Sequence, residues 1–249
     1  MIPVARPFVG QEEADAAARV IFSGMLASGQ EVIHFEKEFA DFCGTPHAVA
    51  TSNGTTALHV AMAALGIGPG DEVIVPSFTF IASATSVSMC GASPVIADIE
   101  EKTYCIDPEK VLELISPQTK AIIGVHLFGQ PCDIRALSDI CTDHALHFIE
   151  DCAQAHGAQY RGRAVGSYGT CGCFSFYPTK NMTCGEGGMV TSTNPEFINR
   201  IRLLINHGQK EKYLHTELGY NFRLTDIAAA IGRVQLRKLP KMNQTRQEN

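Results

Sequence analysis

Short apolar runs alternate with helix-compatible stretches along most of this chain, and that alternation restricts its fold more than any other feature. AVAT (48–51) precedes a helix expected from Thr55 to Leu65. DEVIVP (71–76) leads into a helix expected over 79–90, and SPVIADI (93–99) precedes one opening at Asp107-Pro108, an N-cap followed by proline. KAIIGVHL (120–127) is followed by a helix expected over 133–144, then LHFIED (146–151), CFSF (173–176) and MVTST (189–193) read as strands. NPEFINRIRLLIN (194–206) reads as a helix capped by Asn194. Strands alternating with helices demand a mostly parallel sheet covered on both faces. The unbroken apolar runs VIV, AIIGV and FIE suit strands buried on both sides. Such sheets place ligands at the carboxyl ends of their strands. The residues just after Thr51, Pro76, Val125, Ile149 and Cys173 are therefore the candidate ligand contacts.

Composition narrows the function classes. The 249 residues are 45% hydrophobic and 18% charged, a globular balance rather than a disordered one. The formal charge of -6 gives no basic face for a phosphate backbone, so no nucleic-acid partner is expected. Nine cysteines at irregular spacing read as reduced thiols of a cytoplasmic protein. The Cys171-Gly-Cys173 pair has the wrong spacing for a zinc knuckle, so no metal is expected. MIPVARPFVGQEE has no apolar core of a signal peptide, and no run approaches a membrane span. Tryptophan is absent, so a ring that stacks on a flat ligand must come from Phe, Tyr or His.

Four segments carry chemistry. TSNGTTAL (51–58) follows a strand and opens a helix; there Gly54, Thr55 and Thr56 could cradle a phosphate, or Ser52 or Asn53 could simply cap the helix. PSFTF (76–80) offers a ring that could stack on a planar ligand or pack in the core. In EDCAQAHG (150–157), Asp151 ends a buried strand, where a carboxylate calls for a cation such as a protonated pyridine. Gln154 could reach a ring substituent. Alternatively Asp151 caps a turn, Gln154 faces solvent, and His156 is a hydrogen-bonded core histidine. In SFYPTKN (175–181), Lys180 stands among small and apolar residues before the glycine-rich 185–188, where desolvation would make its amine a nucleophile; a surface lysine is the plain alternative. GIGPG (66–70) follows a helix and precedes a strand, the reverse of a dinucleotide fingerprint, and reads as a turn. A phosphate cradle, a ring stacker, an acid for a ring nitrogen and an amine for an aldehyde together are the parts of a pyridoxal-phosphate site.

SNGTTAL, PSFTFIA, HLFGQPCD, EDCAQAHGA, SFYPTKN with GEGG, and GYNFRLTDIAAAIG occur in an order that resembles the DegT/DnrJ/EryC1/StrS family of sugar aminotransferases. The resemblance implies an α/β fold of type I, a three-layer, mostly parallel central sheet with helices on both faces. It implies pyridoxal 5'-phosphate held as an internal aldimine on Lys180, with Asp151 on the ring nitrogen and Gln154 on the ring hydroxyl. Phe80 would stack on the ring; Gly54, Thr55, Thr56 and Ser175 would hold the phosphate. Asn221 would reach the phosphate of a neighbouring subunit, which implies a homodimer with shared sites. The implied reaction moves an amino group from an amino acid, L-glutamate in this family, to a nucleotide-linked keto-sugar. A sugar dehydratase of the same family would carry His in place of Lys180, and a non-catalytic cofactor-binding protein is the further alternative. The chain stops at LPKMNQTRQEN, so a large domain over 1–240 is expected, with 241–249 starting a small domain that is otherwise absent.

Overall fold

The structure is a computed structural model that describes residues 6–249; the first five residues of the domain expected over 1–240 lie outside it. Helices α1 (Gln11–Ser23) and α2 (Gln30–Cys43) lead into β1 (His47–Thr51) and α3 (Gly54–Ala64). Then come β2 (Glu72–Pro76), α4 (Ala82–Met89), β3 (Ser93–Ala97), α5 (Pro108–Leu114) and β4 (Thr119–Val125). Helix α6 (Ile134–Asp143) and β5 (His147–Asp151) precede a small hairpin of β6 (Gln159–Tyr160) and β7 (Arg163–Ala164). Strands β8 (Cys171–Ser175) and β9 (Gly188–Ser192), helix α7 (Pro195–Leu204), the pair β10 (Gln209–Glu211) and β11 (Leu214–His215), and helix α8 (Asp226–Glu248) complete the chain.

Seven strands form one sheet in the order β1-β9-β8-β5-β4-β2-β3. Every strand pair is parallel except those that β9 makes with β8 and β1. All five residues of β8 and of β9 are buried, which requires cover on both faces of the sheet. The α/β class expected from the alternation is therefore the observed one. Pro94 sits in β3, at the sheet's edge, where a missing N–H breaks no interior ladder.

The expected strands and helices occur within a few residues of their anticipated bounds. Asp107, Asp133 and Asn194 cap α5, α6 and α7 by accepting backbone N–H groups of their first turns. GIGPG is a turn: Gly66 has φ 80°, a left-handed conformation that a side chain would resist. Helices α1 and α2 have no counterpart in the sequence expectation, although FEKEFADFC carries apolar residues at helical spacing. Phe35 and Phe39 of α2 are fully buried and meet Phe176 and Phe174 at centroid distances of 5.1 and 4.9 Å. Asp226, at the start of α8, accepts N–H bonds from Gly29 and Val32 and so caps α2 from 194 residues away. The boundary expected after residue 240 falls inside α8, which continues through Pro240. No helix among the described residues is long and apolar enough to cross a membrane.

Candidate active site

Strand register aligns the carboxyl ends that matter. Val125 pairs with Asp151, Asp151 with Cys173, Ser175 with Gly188, and Gly188 with Thr51. Because β9 runs back against β8, the segment joining them returns to the same edge, and that segment carries Lys180. A cavity of about 770 Å³ opens there. Its lining includes Gly54, Thr55, Thr56, Phe80, Asp151, Gln154, Ser175 and Lys180. Eight of the nine residues singled out in the sequence thus share one cavity. Asn221 is not among its lining; it is exposed and bridges Asn206, and the carbonyl of the next residue, Phe222, accepts the Ser52 N–H at 2.7 Å beside the cradle.

The start of α3 supplies an anion site. Asn53 Oδ1 accepts the Thr56 N–H at 2.9 Å, while Thr56 Oγ1 accepts the Asn53 N–H at 3.1 Å. This reciprocal cap commits the Thr56 hydroxyl to the helix end. The amides of Gly54 and Thr55, in the first turn, have no intrahelical acceptor and lie at the positive end of the dipole. Ser175 closes the cradle from β8. A Cβ on Gly54 would stand 2.6 Å from Ser175 Cβ, so only glycine lets the helix end approach the strand end this closely.

Asp151 is 6% exposed, and its partners are both neutral: Ser83 Oγ donates to Oδ2 at 2.9 Å and the Ala153 N–H to Oδ1 at 3.1 Å. Burial raises its pKa, opposed by these two donors and by the charge of Lys180. Lys180 is half-buried, and burial lowers its pKa against the pull of Asp151. Neither side chain forms an ion pair among the described residues. A lone buried carboxylate is strongly disfavoured; a cationic ligand atom in the cavity would relieve it. The capping role open to Asp151 is also real, through Ala153, but it occupies only one oxygen.

Phe80 is 66% exposed at the cavity, so it does not pack in the core. Gln154 does not hang in solvent: its Oε1 accepts the Phe128 N–H at 2.9 Å. His156 departs from the satisfied core histidine expected of it. It is 1% exposed; Ser175 and Asn181 approach its ring but neither makes a well-formed hydrogen bond to it among the described residues, and burial drives its pKa down to about 3.

Ser83 escaped the sequence reading. Its tie to Asp151 spans 68 residues, and nothing local marks a serine in α4 for that contact. Glu150, the neighbour of Asp151, points to the other side of the strand. It accepts N–H bonds from Gly166, Tyr168 and Gly169 and pairs with His126 at 3.0 Å. His126, Glu150 and Cys152 bring three potential metal donors within 4.8 Å. Glu150 already takes four hydrogen bonds there, and burial holds the Cys152 thiol protonated.

Comparison with known proteins gives a consistent result. The sequence pattern of the DegT/DnrJ/EryC1/StrS aminotransferase family matches residues 7–249. A GDP-perosamine synthase of Caulobacter vibrioides is 47% identical over 241 residues, 96% of this chain and 65% of that protein. A dTDP-3-amino-3,4,6-trideoxy-alpha-D-glucose transaminase of Streptomyces venezuelae is 48% identical over 233 residues, 93% of this chain and 62% of that protein. The chain thus spans 62–65% of the length of these two relatives. Among solved structures, S. venezuelae DesV in complex with a ketimine intermediate superposes with a TM-score of 0.90 at 47% identity, covering 92% of this chain and 62% of that one. The PLP-form of the sugar aminotransferase Spr1654 from Streptococcus pneumoniae gives 0.95 at 30% identity, covering 99% and 69%.

Proposed function

The chain belongs to the DegT/DnrJ/EryC1/StrS aminotransferase family, and from that premise we propose that it serves a pyridoxal-phosphate-dependent transfer of an amino group from L-glutamate to a nucleotide-linked keto-sugar. One observation carries the reading: Asp151, buried and without a cation, shares a cavity with the half-desolvated Lys180 and the open amides of α3.

These residues fit pyridoxal phosphate. Its dianionic phosphate suits the N–H groups of Gly54 and Thr55 and the hydroxyls of Thr55 and Ser175. Its pyridine nitrogen, when protonated, supplies the cation that Asp151 lacks. When bound, the cofactor supplies an aldehyde and an electron-accepting ring, the chemistry that amino-group transfer requires. Lys180 would hold the cofactor through its amine, which burial keeps more readily deprotonated than an exposed lysine. The same amine, when free, would serve as the base that takes the proton from the donor's Cα and as the acid that returns one to the product. Phe80 offers an exposed ring for the cofactor's face. Gln154, its oxygen held by Phe128, would have the donor end of its amide free for the ring oxygen.

Relatives named for GDP- and dTDP-linked sugars support a nucleotide-sugar acceptor. Lys180 argues against the dehydratase alternative. The test is spectroscopic. The chain incubated with pyridoxal phosphate should gain visible absorbance, borohydride should fix the cofactor on Lys180, and L-glutamate should bleach the colour. Label on another lysine, or colour that glutamate leaves unchanged, refutes the proposal.

A further inference from the structure

The helix that closes the chain reaches back to the lysine. Asn243, one turn beyond Pro240 in α8, donates Nδ2 to the backbone carbonyl of His156 at 2.7 Å. Its Oδ1 accepts Nδ2 of Asn181 at 3.0 Å. The orientation of both amides is forced, because a carbonyl oxygen can only accept. Asn181 directly follows Lys180, and His156 closes the segment that carries Asp151 and Gln154. Arg246, one turn on, places Nη1 3.5 Å from the same Oδ1. Gly157, at φ 83°, leaves room for this approach: a Cβ there would stand 2.9 Å from Asn243 Nδ2. A second amide of α8, Gln235, accepts the Thr183 N–H at 3.3 Å. Helix α8 thus grips the lysine segment twice, while among the described residues the Lys180 main chain has only its turn bond to the Tyr177 carbonyl at 2.9 Å.

We propose that Asn243 is a positioning residue for Lys180: its carboxamide clamps Asn181 to the backbone of His156, fixing the lysine segment against the segment of Asp151 and Gln154. The inference rests on the reading of Lys180 as the cofactor-bearing lysine. The clamp acts on the amine's position and leaves the phosphate cradle of α3 and β8 untouched. It therefore separates two ligands that share a ring and a phosphate. Pyridoxal phosphate has the aldehyde that Lys180 captures; pyridoxamine phosphate does not.

The experiment compares the dissociation constants of both ligands, and the rate at which visible absorbance appears with pyridoxal phosphate, in the unaltered chain, Asn243→Ala, Asn181→Ala and the double variant. Either single substitution should weaken pyridoxal phosphate and slow the colour about tenfold, because either breaks the link between the two segments. Pyridoxamine phosphate should stay within about twofold, and the double variant should be no worse than either single, because both break the same link. Asn243→Asp keeps the acceptor for Asn181 but repels the His156 carbonyl, and should behave as the alanine does. Equal losses for both ligands, additive losses in the double variant, or no loss at all would overturn the clamp. Asn181→Ala, on a loop, carries the test if Asn243→Ala does not fold. An unaltered chain that binds both ligands but never colours refutes the reading of Lys180, and the clamp with it.

Discussion

Phe128 donates its backbone N–H to Gln154 Oε1 at 2.9 Å, from a turn in which Phe128 itself holds a left-handed φ of 53°. Such a backbone is uncommon for a non-glycine residue and persists only when its surroundings impose it. Here they do. His126, just before the turn, accepts the Cys132 N–H on Nδ1, so its Nε2–H points at the buried Glu150. That pair locks the turn, the turn fixes the oxygen of Gln154, and Nε2 of Gln154 is left to donate.

Gln154→Glu tests the consequence. The glutamate still accepts from Phe128, but its second oxygen brings a negative charge where a donor stood. It should weaken pyridoxal phosphate by more than tenfold and more than Gln154→Ala does, since a repulsive group exceeds a lost bond. Ligand titration of both variants decides it; equal losses would mean that Gln154 makes no polar contact with the ring.

Asp151→Asn should stabilise the ligand-free chain while crippling the reaction. The folded pKa of Asp151 lies above its unfolded value because of burial, so the ionised group opposes folding. That cost is absent in acid, where both states are protonated, grows as pH rises from the unfolded pKa through the folded one, and is constant above it. The variant should therefore melt a few degrees higher at neutral pH and converge with the original in acid, with turnover down about 10²-fold or more. A lower neutral Tm would show that the carboxylate is stabilised by groups beyond Ser83 and Ala153.

His156 governs an acid limb of stability. Its folded pKa, near 3, lies below the unfolded value, so its contribution is complete above about pH 6.5 and is lost as pH falls toward 3. The slope is about 1.4 kcal/mol per pH unit inside that window. His156→Leu removes the proton and should flatten this limb in urea melts recorded between those pH values. An unchanged slope would assign the acid sensitivity elsewhere.

Gly54→Ala should cost about 1–3 kcal/mol, because the new methyl overlaps Ser175 and must push α3 away from β8. Phosphate affinity should fall with it. Urea melts and titration with inorganic phosphate measure the two effects; a variant as stable and as phosphate-avid as the original would show that the close approach is not needed.

Asn221 bears on assembly. It does not line the cavity of its own chain, and the family resemblance implies that it reaches the phosphate of a neighbouring subunit. If the chain forms a homodimer with shared sites, mixing Lys180→Ala with Asn221→Ala protein should restore about a quarter of the activity of the unaltered protein, since half the dimers would be mixed and each would have one intact site. No recovery in mixed dimers confirmed by mass would return Asn221 to its own subunit or to none.

The order of apolar runs and the capping residues determined the strands and helices from β1 through α7, apart from the small pair β6–β7, because hydrophobic period and cap chemistry are local properties. Motif order likewise exposed Gly54, Asp151, Gln154 and Lys180, each at the end of a strand or within a few residues past it. Three matters lay beyond the sequence. The placing of helices α1 and α2 depends on contacts with α8, 194 residues distant at Asp226. The reversal of β9, which returns Lys180 to the edge beside Asp151, is a matter of sheet pairing that alternating apolar residues do not encode. The polar ties that set each side chain's role, Ser83 to Asp151, Phe128 to Gln154 and Asn243 to Asn181 and His156, join residues remote in sequence. Local pattern determines which elements form, because it decides which face of each is apolar; only packing brings a lone donor within about 3 Å of a lone acceptor, the distance at which a hydrogen bond acts.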